Sequence, residues 1–233
     1  MEQQALKENA GRAAAEALVK SGMKLGLGTG STAIHVIRRV GELMAEGSLS
    51  GILAFPTSFQ SSIACEKWGI PVYALNAKEI GGSLDLTIDG ADEIDPENRL
   101  IKGGGGALLI EKLAAYASAA YAIVADESKL VENLGTAFPV PIEVIPEARI
   151  TAAAALEKLG AAVFLREAVR KAGPVITEHG NLLLDIRFPF PVDSAALETE
   201  LNGIPGVVEN GFFTRIRPVV YIAHTDGIIE VRK

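Results

Sequence analysis

A chain of 233 residues, 48% of them hydrophobic, is long and apolar enough to bury a core as one large domain or two small ones, which excludes a disordered segment. Its net charge of -7 at pH 7 excludes the broad basic surface of a non-specific nucleic-acid binder, so cations that meet an anionic ligand must act locally. The single cysteine, Cys65, has no internal disulfide partner and reads as a small core residue near Trp68, in keeping with a reducing cytoplasm. The N-terminal stretch shows no apolar signal core, and no run reaches the ~18 apolar residues of a membrane span. There is no internal repeat.

In chain order, residues 2–20 read as a helix with Leu6, Ala10, Ala13, Ala14, Ala17 and Leu18 on one side, ended by Ser21-Gly22. Residues 23–27 form a short buried strand that runs into Gly28-Thr29-Gly30-Ser31-Thr32, and a helix follows over 33–45. Strand, glycine turn and helix open an α/β unit, and such a turn is a candidate phosphate site. Gly28-x-Gly30-x-x-Ala33 also fits the dinucleotide fingerprint, but that site needs an acidic residue ~20 positions on, at the end of the next strand. The next strand, 52–55, leads to Pro56-Thr57-Ser58, with no carboxylate. The hydroxyls of Thr29, Ser31 and Thr32 suit a terminal phosphate or sugar hydroxyls better. No G-x-x-x-x-G-K-[ST] loop is present, which argues against an NTPase.

Residues 59–68 read as a helix, 71–75 as a strand, and 84–88 as another strand ending in Asp89-Gly90-Ala91-Asp92-Glu93-Ile94-Asp95. Carboxylates just past the C-terminal end of a strand sit where open α/β sheets place ligands. The alternatives are a divalent-cation site and a plain solvated acidic turn; without a nearby histidine, a transition metal is not expected. Lys102 then precedes Gly103, Gly104, Gly105 and Gly106, which run into a helical pattern with Leu108, Leu109, Leu113 and Ala114 as apolar positions. Four glycines are costly to order, but they let backbone N–H groups approach a bound atom, and at a helix start those groups favour negative charge. Glu111 is expected two turns in, on a stripe with Gly104, Ala107, Ala114 and Ser118. The plainer reading is a solvated glutamate after a flexible loop. A strand at 121–124 ends in Ala125-Asp126-Glu127-Ser128-Lys129, which puts Lys129, by default a surface lysine, at a fourth strand end.

From Pro139 the texture changes. Strand 140–145, helix 147–159, strand 161–167, a hairpin of 175–177 with 182–186, helix 194–201 and strand 206–209 approximate β-α-β-β-α-β. A last hairpin, 219–224 with 228–231, is expected to return to the first sheet. The expected fold class is α/β: a Rossmann-like, mostly parallel sheet domain over 1–133 and 210–233, with an inserted α+β ferredoxin-like domain over 134–209. His35, His179 and His224 have no spaced Ser, Cys or Asp partner and read as structural or surface residues.

The strand-end segments together supply hydroxyls, carboxylates, amide donors, one candidate base and two cations. That set suits proton transfer beside a carbonyl on a phosphorylated substrate. The motifs GLGTGSTA (26–33), DGADEID (89–95), KGGGGALLIEK (102–112), ADESK (125–129) and FPVPIEVIP (138–146) resemble, in order and spacing, those of the type A ribose-5-phosphate isomerases. The similarity covers essentially the whole chain; DGADEID with KGGGGALLIEK is a specific pair, and GTGST alone is not. The resemblance implies interconversion of ribose 5-phosphate and ribulose 5-phosphate in the pentose phosphate pathway, through an enediolate, with no cofactor and no metal. It implies that Glu111 shuttles the proton between two carbons, and that Thr29, Gly30, Ser31, Thr32, Asp89, Gly90, Ala91, Asp92, Lys102, Gly103, Gly104, Gly105 and Lys129 contact the substrate. Lys102 fits oxyanion stabilisation, and Asp89 is a candidate acid/base for ring opening. Gly106 stands where some members carry alanine. A cytoplasmic homodimer or homotetramer with a small sugar-phosphate substrate and no nucleic-acid or membrane partner is also implied. Two rival readings are a non-catalytic sugar-phosphate sensor of related fold and an amino-sugar deaminase. Glu111 and Lys102 favour the isomerase over the sensor, and the deaminase would want a histidine relay.

Overall fold

The structure, a computed structural model, describes residues 2–233. The chain opens with helix α1 (Gln3–Leu18), strand β1 (Lys24–Leu27), α2 (Ala33–Ala45), β2 (Leu53–Pro56), α3 (Phe59–Lys67) and β3 (Leu84–Asp89). Two short strands follow, β4 (Glu93–Ile94) and β5 (Leu100–Ile101), then α4 (Leu108–Tyr116) and β6 (Ser118–Asp126). Next come β7 (Val140–Val144), α5 (Arg149–Lys158), β8 (Ala162–Leu165), β9 (Leu182–Arg187) and α6 (Ser194–Leu201). Strands β10 (Val207–Asn210), β11 (Phe212–Phe213), β12 (Val219–Ala223) and β13 (Ile229–Arg232) complete the order. These elements form two compact units. One holds the residues up to Ala91 with Ile110–Lys129 and Ile216–Lys233; the other holds Asp92–Leu109 and Leu130–Arg215.

The first unit is built on a six-stranded sheet in the order β13-β12-β6-β3-β1-β2. Every pair is parallel except the β12–β13 hairpin, so the mostly parallel α/β sheet expected from the sequence is present, and the final hairpin returns to it. Its strands are apolar runs because helices cover them. Leu25, Leu27, Ile88, Ala122 and Val124 pack with Ala10 and Ala14 of α1 and Val36, Ile37 and Val40 of α2 in one buried core. The small residues of α1 allow a close crossing: a Cβ at Gly11 would lie 2.8 Å from His35 Cβ on α2. Cys65 is buried in the same core, and burial pushes its thiol up to about 12, so it is inert at neutral pH. Residues 71–75 do not form the expected strand. Only Val72 bridges Ala54, and Pro71 has no N–H to extend a ladder.

The second unit carries an antiparallel sheet in the order β10-β7-β9-β8, with α5 joining β7 to β8 and α6 joining β9 to β10. That connectivity is β-α-β-β-α-β, the split βαβ pattern. Ile142, Val144, Leu184 and Ile186 of the sheet bury against Ala152 and Leu156 of α5 and Leu201 of α6. The expected arm at 175–177 reduces to one bridge, Ile176 to Leu182. A separate three-stranded sheet, β11-β5-β4, was not anticipated; strands of two residues are too short to show alternation. It groups 92–109 and 210–215 with the second unit, where chain order alone had placed them in the first. Buried Glu93 adds to this, accepting N–H bonds from Gly135 (2.6 Å), Ala137 (2.6 Å) and Phe138 (2.5 Å).

Candidate active site

Strands β6, β3 and β1 are neighbours in the first sheet, and each ends in one of the segments singled out from the sequence. Gly28 is the residue that lets two of these ends meet. A Cβ there would stand 2.0 Å from Asp89 Oδ1 and 2.6 Å from Asp89 Cα. In its absence the Thr29 N–H donates to Asp89 Oδ1 at 3.0 Å, and the Gly90 N–H donates to the same oxygen at 2.7 Å. Asp89 is fully buried, and these donors stand in for water. The Thr29 hydroxyl bonds Thr57 Oγ1 and Ser58 Oγ, both at 2.7 Å, and the Gly30 N–H donates to Gln60 Oε1 at 2.9 Å. Thr29 therefore frames the loop. Gly30, at φ +104°, turns the chain into α2, and the Ile34 and His35 N–H groups of its first turn donate back to Gly30 O at 3.2 Å and Thr32 O at 3.1 Å. Ser31 is exposed and accepts a hydrogen bond from Lys7 Nζ at 3.0 Å, while Thr32 is buried at the helix start.

At the end of β6, Glu127–Lys129 forms a single 3-10 turn. Buried Asp126 accepts the Ser128 N–H at 3.1 Å and the Ser128 hydroxyl. Glu127 is held by His224 Nδ1 at 2.8 Å and by the Thr225 N–H at 3.3 Å. Lys129 ends this turn and is half-buried.

Glu111 lies in the first turn of α4, not two turns in, because the helix begins at Leu108 and 104–106 are turn residues. The expected stripe shared with Gly104 is therefore not formed. The first turn carries the positive end of the helix dipole, which favours a carboxylate, and Glu111 is 3% exposed. Leu108 and Ala114 are buried as expected, but Leu113 is 46% exposed. Helix α4 is held at its far end, where Ala114 O accepts Ser118 Oγ at 2.7 Å and Thr87 Oγ1 at 3.3 Å.

Asp92, Lys102, Gly103, Gly104 and Gly105 belong to the second unit. Asp92 Oδ2 accepts the Gly104 N–H at 2.7 Å, and a Cβ on Gly104 would come within 2.6 Å of Asp92 Oδ1. The Gly106 N–H donates to Gly103 O at 3.0 Å, closing a turn over 103–106. The glycine run is thus an ordered turn. Lys102 is 2% exposed, with its ammonium 5.7 Å from the Phe213 ring centroid, a cation–π distance. Nor is 89–95 a solvated acidic turn: Asp89, Glu93 and Asp95 are buried, and Asp95 pairs with Arg99 at 2.5 Å. Among the described residues, no three His, Cys, Asp or Glu side chains are grouped to hold a metal ion.

The family model of ribose 5-phosphate isomerase A (phosphoriboisomerase A) matches residues 53–227. The ribose-5-phosphate isomerase A of Treponema denticola is 56% identical over 217 residues, which is 92% of this chain and 91% of the relative. This chain belongs to the ribose 5-phosphate isomerase A family. The Synechococcus ribose-5-phosphate isomerase A is 49% identical over 92% of this chain and 91% of its own. Two solved structures are also similar at 39% identity over 100% of both chains. Ribose 5-phosphate isomerase A from Methanocaldococcus jannaschii has a TM-score of 0.92, and a D-ribose-5-phosphate isomerase in complex with phospho-erythronic acid has 0.94. The α/β class with its mostly parallel sheet is therefore shared with the ribose 5-phosphate isomerase A structures.

Lys7, Arg166 and His224 are among the residues of this isomerase-family chain that touch the candidate segments without a signal in the sequence. Lys7 looked like any lysine on an amphipathic helix. Arg166 and His224 reach their partners across long sequence separations. His224 bonds Glu127 Oε2 through Nδ1 and Glu230 Oε2 through Nε2, both at 2.8 Å. The bonds to Glu230 and Glu127 raise its pKa above the usual 6.5. Arg232 and His224 lower that of Glu230; Thr225 and His224 lower that of Glu127. The stabilisation carried by the imidazolium is complete below pH 6.5 and is lost as pH rises through the raised value; that carried by the carboxylates is complete above about 4.5 and is lost as pH falls through their lowered values. The cluster is partly exposed, so the effect is modest. His224→Gln should lower the thermal midpoint at about pH 5.5 and leave it near wild type at about pH 9. An equal drop at both pH values would mean that the ring acts by packing, not by charge.

Proposed function

We propose that this chain is the aldose–ketose isomerase that interconverts D-ribose 5-phosphate and D-ribulose 5-phosphate in the pentose phosphate pathway, through an enediolate. The observation that carries the mechanism is a buried glutamate, Glu111, in the first turn of the helix that follows an ordered glycine turn. The relative that holds phospho-erythronic acid, a phosphorylated sugar acid, supports a small sugar phosphate as ligand.

Glu111 takes the proton from C2 of the open-chain aldose, and the electron pair moves onto the carbonyl oxygen at C1. Lys102 and the Gly105 N–H of the glycine turn balance the charge on that oxygen. Glu111 then returns the proton to C1, while the hydroxyl proton of C2 passes to the oxygen of C1, and the ketose forms with no net change of atoms or electrons. Asp89 serves ring opening as acid/base, held in place by the two backbone N–H groups that donate to its Oδ1. Ser31 and Thr32, at the positive end of the α2 dipole, receive the phosphate, with Lys7 and Lys129 as cations. Thr29, Gly30, Gly90, Ala91 and Asp92 shape the loops that contact the sugar. No step calls on a metal ion or a cofactor.

The test is ketose formation from ribose 5-phosphate by the purified chain, with and without excess EDTA. Equal rates are expected. No ketose in either buffer overturns the isomerase reading, and a loss in EDTA that Mg²⁺ restores overturns the metal-free route. We extend the reading, on the family resemblance, to a cytoplasmic homodimer or homotetramer. No helix among the described residues is long and apolar enough to cross a membrane.

A further inference from the structure

Arg166, just past β8, has no part in the roles above, yet its guanidinium is used on both edges. Nε donates to Asp185 Oδ2 at 2.8 Å, and Nη2 donates to Asp185 Oδ1. Nη1 donates to Gly103 O at 3.0 Å and to Gly104 O at 3.1 Å. The two side chains are only 15% and 18% exposed, so the pair is far less screened than one at the open surface. Asp185 sits on β9, in register with Phe164 of β8, so a sheet fixes the anchor.

The two carbonyls matter because a trans peptide group points its C=O and the following N–H in opposite directions. With the carbonyls of Gly103 and Gly104 held to one side, the N–H groups of Gly104 and Gly105 are turned to the other. The Gly104 N–H meets Asp92 Oδ2 there, at 2.7 Å. Gly105 is exposed, and the Arg166 bond to Gly104 O orients the peptide plane that carries its N–H. The turn does not fix these planes alone. Gly103 and Gly106 sit at φ +100° and +80°, and consecutive glycines have the widest backbone freedom of any sequence. One bond, from the Gly106 N–H to Gly103 O, closes the turn but leaves the Gly104–Gly105 peptide plane unfixed. A planar fork that reaches two carbonyls while clamped to a carboxylate fixes it, and a lysine cannot make all four bonds.

We propose that Arg166, braced by Asp185, is a positioning residue for catalysis: it holds the peptide planes of the 103–106 turn so that the Gly105 N–H faces the oxyanion of the enediolate. This rests on the isomerase reading, and the two fail differently. If the wild-type chain makes no ketose, that reading falls; the role of Arg166 is judged only within an active enzyme.

Arg166→Lys keeps the charge and loses the fork. Donors aimed at charge that develops in the transition state raise kcat more than they tighten substrate binding. Removing one such donor outright costs ~10²–10³ in kcat, so loosening the turn is expected to cost about 10–100-fold, with KM for ribose 5-phosphate within about twofold. Affinity for phospho-erythronic acid should fall with kcat, while inhibition by inorganic phosphate stays at its wild-type level. An unchanged kcat, a loss carried by KM alone, or parallel losses for both anions would overturn the proposal. Should Arg166→Lys not fold, Asp185→Asn, which leaves the guanidinium with a weaker anchor, is read by the same criteria. Failure of both variants to fold would assign the pair to stability and overturn the catalytic role.

Discussion

Glu111→Gln is expected to give a folded protein that still binds ribose 5-phosphate and turns it over at least ~10²–10⁴ times more slowly, the usual share of a positioned base. Glutamine keeps the shape and the hydrogen-bonding reach of the side chain but has no oxygen basic enough to take a carbon-bound proton. The substitution also removes an anion from the first turn of α4, where the helix dipole favours it. That costs about 0.3–1 kcal/mol, too little to unfold a domain. KM should stay near the wild-type value, because Glu111 acts on the transition state and not on the phosphate. Incorporation of solvent deuterium at the carbon beside the carbonyl should collapse together with kcat, since both report the same proton transfer. A Glu111→Gln enzyme that exchanges and isomerises at near wild-type rates would sink the assignment and move the search for the base to Asp89 or Asp92.

The second large effect is expected at Gly28, where nothing reacts. An alanine methyl would stand 2.0 Å from Asp89 Oδ1 and 2.6 Å from Asp89 Cα. Asp89 has no easy retreat, because β3 pairs with β1 on one side and β6 on the other. Overpacking costs typically about 1–3 kcal/mol, and prising Asp89 from the N–H groups of Thr29 and Gly90 adds about 1–3 more for a buried charge left short of donors. Gly28→Ala should therefore lose about 2–6 kcal/mol of stability, read as a lower denaturant midpoint. In whatever fraction folds, KM should rise and kcat should fall, since the displaced loop is assigned to the phosphate and Asp89 to ring opening. Gly30→Ala is the control. Nothing lies within 4 Å of a Cβ there, and only the left-handed φ of +104° opposes the change, worth about 1–2 kcal/mol. A Gly28→Ala midpoint no lower than that of Gly30→Ala would show that β1 and β3 part without cost.

Where a local pattern decides structure, the sequence could be read closely. The helices expected over 33–45 and 194–201 end where the structure ends them, because glycine turns, a cap at Asp193 and an apolar stripe act within a few residues. The strand-end logic also found the loops after β1, β3 and β6. Reading failed where distance or brevity decides. The two-residue strands β4, β5 and β11 carry no periodicity of their own. Counting the glycines as helix puts Glu111 two turns deep, whereas Gly103 and Gly106 at positive φ delay the helix to Leu108. Arg166 meets its loop across 63 residues and His224 meets Glu127 across 97, separations over which sequence carries no pattern.

The position of β12 has a consequence for how the chain is made. It pairs with β6 in register from Val219–Ala122 to Ala223–Asp126, yet the larger part of the second unit, Leu130–Arg215, is synthesised between them. During translation β6 therefore emerges with an open edge that stays unpaired until β12 leaves the ribosome. An apolar strand with one edge unpaired is a site for intermolecular pairing. Closing the sheet is a late event of high contact order, and such events are slow. Through the synthesis of the stretch between Asp126 and Val219, that edge of the nascent sheet stays open.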